Sequence, residues 1–126
     1  MSAESPSHSD RRVRPLRDDE IELLRALLAT SPLSEAVQRD LSDWRVEEMA
    51  DGGMGSLTFV QSEEDRPRHG RSVAEAMYVD ADGVDVTIAV DVDDKGILYE
   101  LDFWKVDFSP LKRYPRPSDL RDVRCM

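Results

Sequence analysis

The side chains with chemistry to offer are mostly carboxylates. Glu100 and Asp102 stand two apart in Leu-Tyr-Glu-Leu-Asp-Phe-Trp, and on a strand that spacing sends both to one side. A pair so placed can hold a metal ion or divide acid and base roles; it can equally be solvated or matched by arginine. The other reactive types are poorly placed. His8 lies near the N-terminus, His69 sits in a charged stretch, and Cys125 is the penultimate residue. A nucleophile needs a base held by packing, and zinc sites need several His or Cys ligands. The composition therefore favours a non-enzymatic protein with no cofactor and no catalytic residue.

Two short runs imitate known ligand loops. Asp91-Val-Asp93-Asp94-Lys95-Gly96, with Asp102 at the twelfth position, partly copies a calcium loop. Lys95 falls on a ligand position, however, and the flanks read as strands rather than helices. Asp51-Gly52-Gly53-Met54-Gly55-Ser56 is glycine-rich but lacks the lysine and the following helix of a phosphate cradle. Both read as turns.

The charge distribution narrows the partners. The chain carries a formal net charge of −10 over 126 residues. Nine acids fall within residues 78–107 (Asp80, Asp82, Asp85, Asp91, Asp93, Asp94, Glu100, Asp102 and Asp107) against Lys95 and Lys105. Phosphate backbones and anionic membranes are met by lysine and arginine fields, so neither is an expected ligand. A basic protein partner is. There is no apolar run of membrane-spanning length and no secretory segment at the N-terminus, so a cytoplasmic protein is the expectation. The single cysteine requires no oxidising compartment.

The elements that must position these residues follow from periodicity. Residues 1–12 are polar and serine-rich and read as a disordered tail. Ile21, Leu24, Leu27 and Leu28 form one face of a first helix from Asp18, widened by Leu23, with Asp19 and Glu22 at capping-box spacing. Leu33, Val37 and Leu41 form the stripe of a second helix, capped at Ser31 or Ser34, with Trp44 at its exit. Residues 44–49 and 54–60 make a weak hairpin, and 61–70 a charged, mobile loop. Residues 73–80, 84–92 and 97–106 make a meander turned by Ala81-Asp82-Gly83 and Asp93-Asp94-Lys95-Gly96.

The last strand is the informative one. Strict alternation puts Ile97, Tyr99, Leu101 and Phe103 in the core and Leu98, Glu100, Asp102, Trp104 and Val106 on the other face. A tryptophan on a solvent face asks for cover. Either the proline-punctuated tail from Phe108 to Tyr114 folds back over it, laying its basic residues on the acidic sheet, or a partner does.

The expected architecture is α+β: two N-terminal helices packed on an antiparallel sheet of about five strands, within a single domain over residues 13–117. A C-terminal tail over 118–126 completes the chain. The expected function is a non-enzymatic protein-binding module, with Trp104, Tyr99, Glu100, Asp102 and Tyr114 as the partner-binding residues. A small carboxylate-based metal-binding domain or enzyme, and a self-associating subunit, are the alternatives.

Arg14-Pro15-Leu16, the Asp51-Gly-Gly-Met-Gly-Ser turn, Tyr78-Val-Asp-Ala-Asp-Gly-Val and Tyr99-Glu-Leu-Asp-Phe-Trp-Lys-Val-Asp-Phe-Ser-Pro-Leu together resemble a family of small uncharacterised bacterial domains over about residues 13–115. The resemblance implies no activity. By analogy of size, charge and architecture the chain is also similar to the immunity proteins of bacterial toxin systems, which implies neutralisation of a basic toxin.

Overall fold

The computed structural model describes residues 13–31, 41–60 and 70–125. The expected second helix falls mainly on 32–40, outside the described residues, as do the N-terminal tail and most of the charged loop. Seven strands form one antiparallel sheet: β1 (Val13–Pro15), β2 (Arg45–Glu48), β3 (Leu57–Phe59), β4 (Arg71–Val79), β5 (Asp85–Val92), β6 (Leu98–Lys105) and β7 (Arg121–Cys125). Their spatial order is β1-β2-β3-β6-β5-β4-β7. Among the described residues there is one α-helix, α1 (Asp18–Leu27), with 3-10 turns at Leu41–Asp43 and Pro117–Asp119.

This corrects the expectation of an α+β fold with two helices on a sheet of about five strands; part of the segment expected as a C-terminal tail, Arg121–Cys125, is a strand. The fold is predominantly β. The two additional strands lie at the sheet edges, where a strand needs neither length nor an apolar face. Val13–Pro15 pairs with β2 through only three residues, and Pro15 is tolerated because it sits on an edge. Residues 121–125 carry mainly charged, exposed side chains yet pair with β4. Charges and the left-handed Asp122 (φ 54°) blunt that edge against further pairing.

The core lies on one side of the sheet. Leu23, Leu24, Leu27 and Leu28 of the helical region meet Ala76, Tyr78, Val86, Ile88, Val90, Leu101 and Phe103 in one buried cluster. The start of α1 is fixed by Glu20 rather than by the expected Asp19–Glu22 pair. The buried Glu20 carboxylate accepts the Arg17 backbone N–H at 2.8 Å and a bidentate pair of bonds from Arg14 at 2.9 and 2.8 Å. Arg14 also reaches Glu48 at 3.1 Å, tying β1, α1 and β2 together.

The alternation expected in β6 is corrected as well. The β5–β6 register shifts between Asp91 and Val92, so Asp91 pairs with Glu100 and Val92 with Leu98. Tyr99 is the extra residue of a bulge, which inverts the phase before it. Leu98 is therefore buried and Ile97 is 39% exposed, the reverse of what strict alternation implies. Tyr99 is turned onto Gly70, where an added Cβ would stand 2.6 Å from its ring.

At the far end of β6 the core contains an ion. Lys105 is fully buried, and its ammonium donates to Asp80 at 2.8 Å, Asp82 at 2.7 Å and the Pro110 carbonyl at 2.9 Å. Asp80, also buried, accepts three backbone N–H groups: Ala81, Lys112 and Arg113. Burial opposes ionisation of Asp80, but Lys105 and these three donors outweigh it and hold its pKa below the ordinary value. Burial likewise works against the Lys105 charge, and the two aspartates more than offset it.

Asp80→Ala leaves the Lys105 ammonium with Asp82 and the Pro110 carbonyl and deprives three backbone N–H groups of their acceptor. It is expected to cost about 3 kcal/mol, the low end of the scale for removing one member of a buried pair. Urea denaturation reads this; a loss under about 1 kcal/mol would contradict it. Because the folded pKa of Asp80 is depressed, its contribution is complete above the unfolded value and is lost as pH falls from there through the folded one. The wild type should therefore weaken on acidification below about pH 4, and Asp80→Asn should show a flatter profile in that range.

Candidate functional site

The face of the sheet away from α1 can be laid out from the registers, because directly paired residues project to the same side. One row holds Val79, Asp85 and Val106. The next holds Met77, Thr87 and Trp104. A third holds Arg124, Glu75, Ala89 and Asp102, with Arg124 donating to Glu75 at 3.1 Å, and a fourth Ser72, Asp91, Glu100, Thr58 and Glu47. The face is thus graded, with its large apolar groups at the hairpin end and its carboxylates toward the opposite end.

At the apolar end Trp104 is 49% exposed, Val106 54% and Phe108 61%. Phe108 packs perpendicular to Trp104 with ring centroids 5.0 Å apart. Its backbone is left-handed (φ 64°), a conformation that costs a non-glycine residue roughly 1–2 kcal/mol. The turn is held by the Phe108 N–H donating to the Lys105 carbonyl at 2.9 Å and by Ser109 bonding Asp107. The buried network around Lys105 thus supports a strained aromatic residue that stays in solvent.

At the acidic end Asp91 and Glu100 face each other directly across β5 and β6. Asp91 accepts the Ser72 hydroxyl and Asp102 the Ser56 hydroxyl, so these two are oriented by hydroxyls rather than neutralised by cations. Glu100 is pushed above the ordinary carboxylate value by partial burial, then by Asp102 and Asp91. Asp102 is pushed up by partial burial, partly countered by Ser56, and further by Asp91 and Asp51. The sheet thus holds like charges together, which destabilises the free protein.

The structure separates the five residues singled out from the sequence. Trp104, Glu100 and Asp102 share the open face. Tyr99 lies at the bulge against Gly70. Tyr114 is on the other side, 5.5 Å from the core ring of Phe103 and under the Arg17 guanidinium. The tail that was one candidate to cover Trp104 goes there too. Pro110 is held by Lys105, Leu111 donates to the Gly53 carbonyl at 3.0 Å, and the Arg113 carbonyl accepts the Tyr78 hydroxyl at 2.8 Å. Phe108 packs on Trp104 instead, and no sequence signal marks it, since nothing in Asp107-Phe108-Ser109-Pro110 announces a left-handed phenylalanine.

The two ligand-like loops serve their own backbones. Asp93 accepts the N–H groups of Lys95 and Ile97, and Asp51 those of Met54 and Ser56. Among the described residues no group of three or more His, Cys, Asp and Glu could hold a metal ion. No helix among them is long and apolar enough to cross a membrane.

Compared with known families, residues 13–115 match one described as a domain of unknown function (DUF6984). Comparisons with curated proteins and with solved structures give no match.

Glu100→Gln is expected to raise stability at pH 7 by about 0.2–1 kcal/mol, the scale of a like-charge cross-strand pair. With its folded pKa raised, Glu100 binds more protons folded than unfolded between its ordinary value of 4.5 and the raised one. Wild-type stability from this group therefore increases as pH falls through that window, and the advantage of the variant shrinks toward pH 4.5. Thermal melts at both pH values test this; a lower Tm for Glu100→Gln at pH 7 would contradict it.

Proposed function

Since the chain belongs to this family, whose description assigns it no activity, we propose that it is a non-enzymatic protein-binding module whose open sheet face receives a basic partner. The observation that carries this is the combination on one face of two exposed aromatic residues, Trp104 and the left-handed Phe108, with Asp91, Glu100 and Asp102, three carboxylates that make no ion pair among the described residues. Partner cations would relieve the Asp91–Glu100 repulsion at the moment of binding. Trp104 and Phe108 would supply the desolvated anchor, since aromatic residues dominate interface energetics. Arg or Lys over the exposed Trp104 ring adds a cation–π term. Neutralisation of a basic bacterial toxin, as an immunity protein does, is the specific form of this function that the chain's small size and acidity suit best.

Self-association through the same face would bring two acid rows together, and like-charge repulsion opposes it. Light scattering at working concentration distinguishes the two: a monomer leaves the face free for a different partner.

The chain, immobilised through its N-terminus in its native lysate, is expected to retain a basic protein at a 1:1 ratio and to release it at high salt. Trp104→Ala should weaken retention by about 30-fold, the scale of a 2 kcal/mol anchor. Asp102→Lys should abolish it. Phe108→Gly should weaken it while leaving Tm nearly unchanged, because relief of the left-handed strain offsets the lost ring contact, worth about 0.5–1.5 kcal/mol. Retention that survives both Trp104→Ala and Asp102→Lys would place the interface elsewhere.

A further inference from the structure

A second site lies on the helix side of the sheet. A cleft of about 280 Å³ opens between the start of α1, the glycine-rich loop and the Leu111–Tyr114 segment. Three pieces of chain distant in sequence converge there.

The fixed charges of its floor are already matched. Glu20 is held by Arg14 and Arg17, and Glu48 by Arg14. Asp51 is satisfied by two backbone N–H groups. Two cations at the rim are not so committed. The Lys112 backbone N–H is used by Asp80, but its ammonium makes no ion pair among the described residues. Arg113 has only a long, 3.5 Å contact with Asp119.

Between floor and rim lies Tyr114, which carries the anomaly of the site. Its hydroxyl is buried and has no hydrogen-bond partner. Burial, then the nearby Glu20 and Asp19, push its pKa up, so the group keeps its proton as a donor. A buried polar group without a partner is rare and disfavoured in folded proteins. Phenylalanine would pack against Phe103 equally well without that cost.

We propose that this cleft binds a small oxyanion, a carboxylate or a phosphate group, which accepts the Tyr114 hydroxyl and is neutralised by Lys112 and Arg113. Arg17 lies over the Tyr114 ring at 5.2 Å, and its side chain is 49% exposed. A ligand oxygen reaches the hydroxyl if this exposed side chain swings aside. The site is cationic at its rim in a chain of net charge −10, so it selects ligands that the open face repels.

The test is an amide-shift titration of the full chain with inorganic phosphate and, separately, acetate, with ionic strength held constant by chloride. Saturable shifts at Arg17, Lys112, Arg113 and Tyr114 are expected, and the probe that saturates at the lower concentration identifies the oxyanion class. Tyr114→Phe should weaken binding about tenfold or more, as for a lost hydrogen bond to a charged group, while its Tm without probe stays level or rises. Lys112→Ala, an exposed position, should weaken binding without affecting Tm. Shifts that do not saturate with either probe, or equal binding by Tyr114→Phe, overturn the proposal. Equal binding would mean that the hydroxyl is served by a trapped water. Glu100→Gln, on the opposite face, should leave the titration unchanged, so the outcome is independent of the partner-binding function.

Discussion

The buried Lys105 ammonium is the interaction on which the rest of the structure depends. It closes the end of β6, reaches the β4–β5 hairpin through Asp80 and Asp82, and fixes the chain reversal at Pro110. A lone ammonium in that position would be prohibitively costly, and two carboxylates and a carbonyl meet all three of its protons. Asp80 then extends the same network into the backbone of Lys112 and Arg113. The path of the C-terminal segment is therefore set by a charge pair inside the core. Both surface sites follow from it, since Phe108 begins the reversal on one side of the sheet and Tyr114 ends it on the other.

What could be read from the sequence was what local pattern alone determines. The β4–β5 hairpin and the turn into β6 were legible because alternating side chains and Asp-Gly or Lys-Gly turns agree with the sheet that forms. The face of α1 was legible because its leucines recur at the helical period. The edges were not. Val13–Pro15 is too short to show a period, and Arg121–Cys125 buries almost nothing, so each is a strand only because a neighbour offers unpaired hydrogen-bonding groups. The bulge at Tyr99 was also hidden. It requires a close approach to Gly70, a contact between residues far apart in the chain.

The same limit explains which of the residues singled out for binding the structure brings together. Trp104, Glu100 and Asp102 are two apart on one regular stretch, so alternation groups them correctly. Tyr114 lies beyond two turns and a proline, and its side of the sheet is decided by Lys105 and Asp80 rather than by any local preference. The burial of Lys105 was masked by its type: in the alternation it occupies a core position, but a lysine at the end of a strand suggests a solvated side chain. A lysine at an inward strand position, with Asp-x-Asp at a neighbouring hairpin tip, is the pattern that would have revealed it.

Three departures from local consistency remain once the core and the edge strands are accounted for: the Asp91–Glu100 opposition, the left-handed Phe108 and the Tyr114 hydroxyl. The first and third make the free protein less stable than a simple replacement would, the second sets backbone strain against its contact with Trp104, and none is needed to close the core. Their placement is not random. The first two share one face of the sheet, and the third lines the cleft on the other. Folding alone gives no reason to keep an exposed phenylalanine where glycine would serve as well, or a hydroxyl where hydrogen would suffice. Strain retained at a surface, beside a core whose ions are fully satisfied, points to binding as the process in which its cost is recovered.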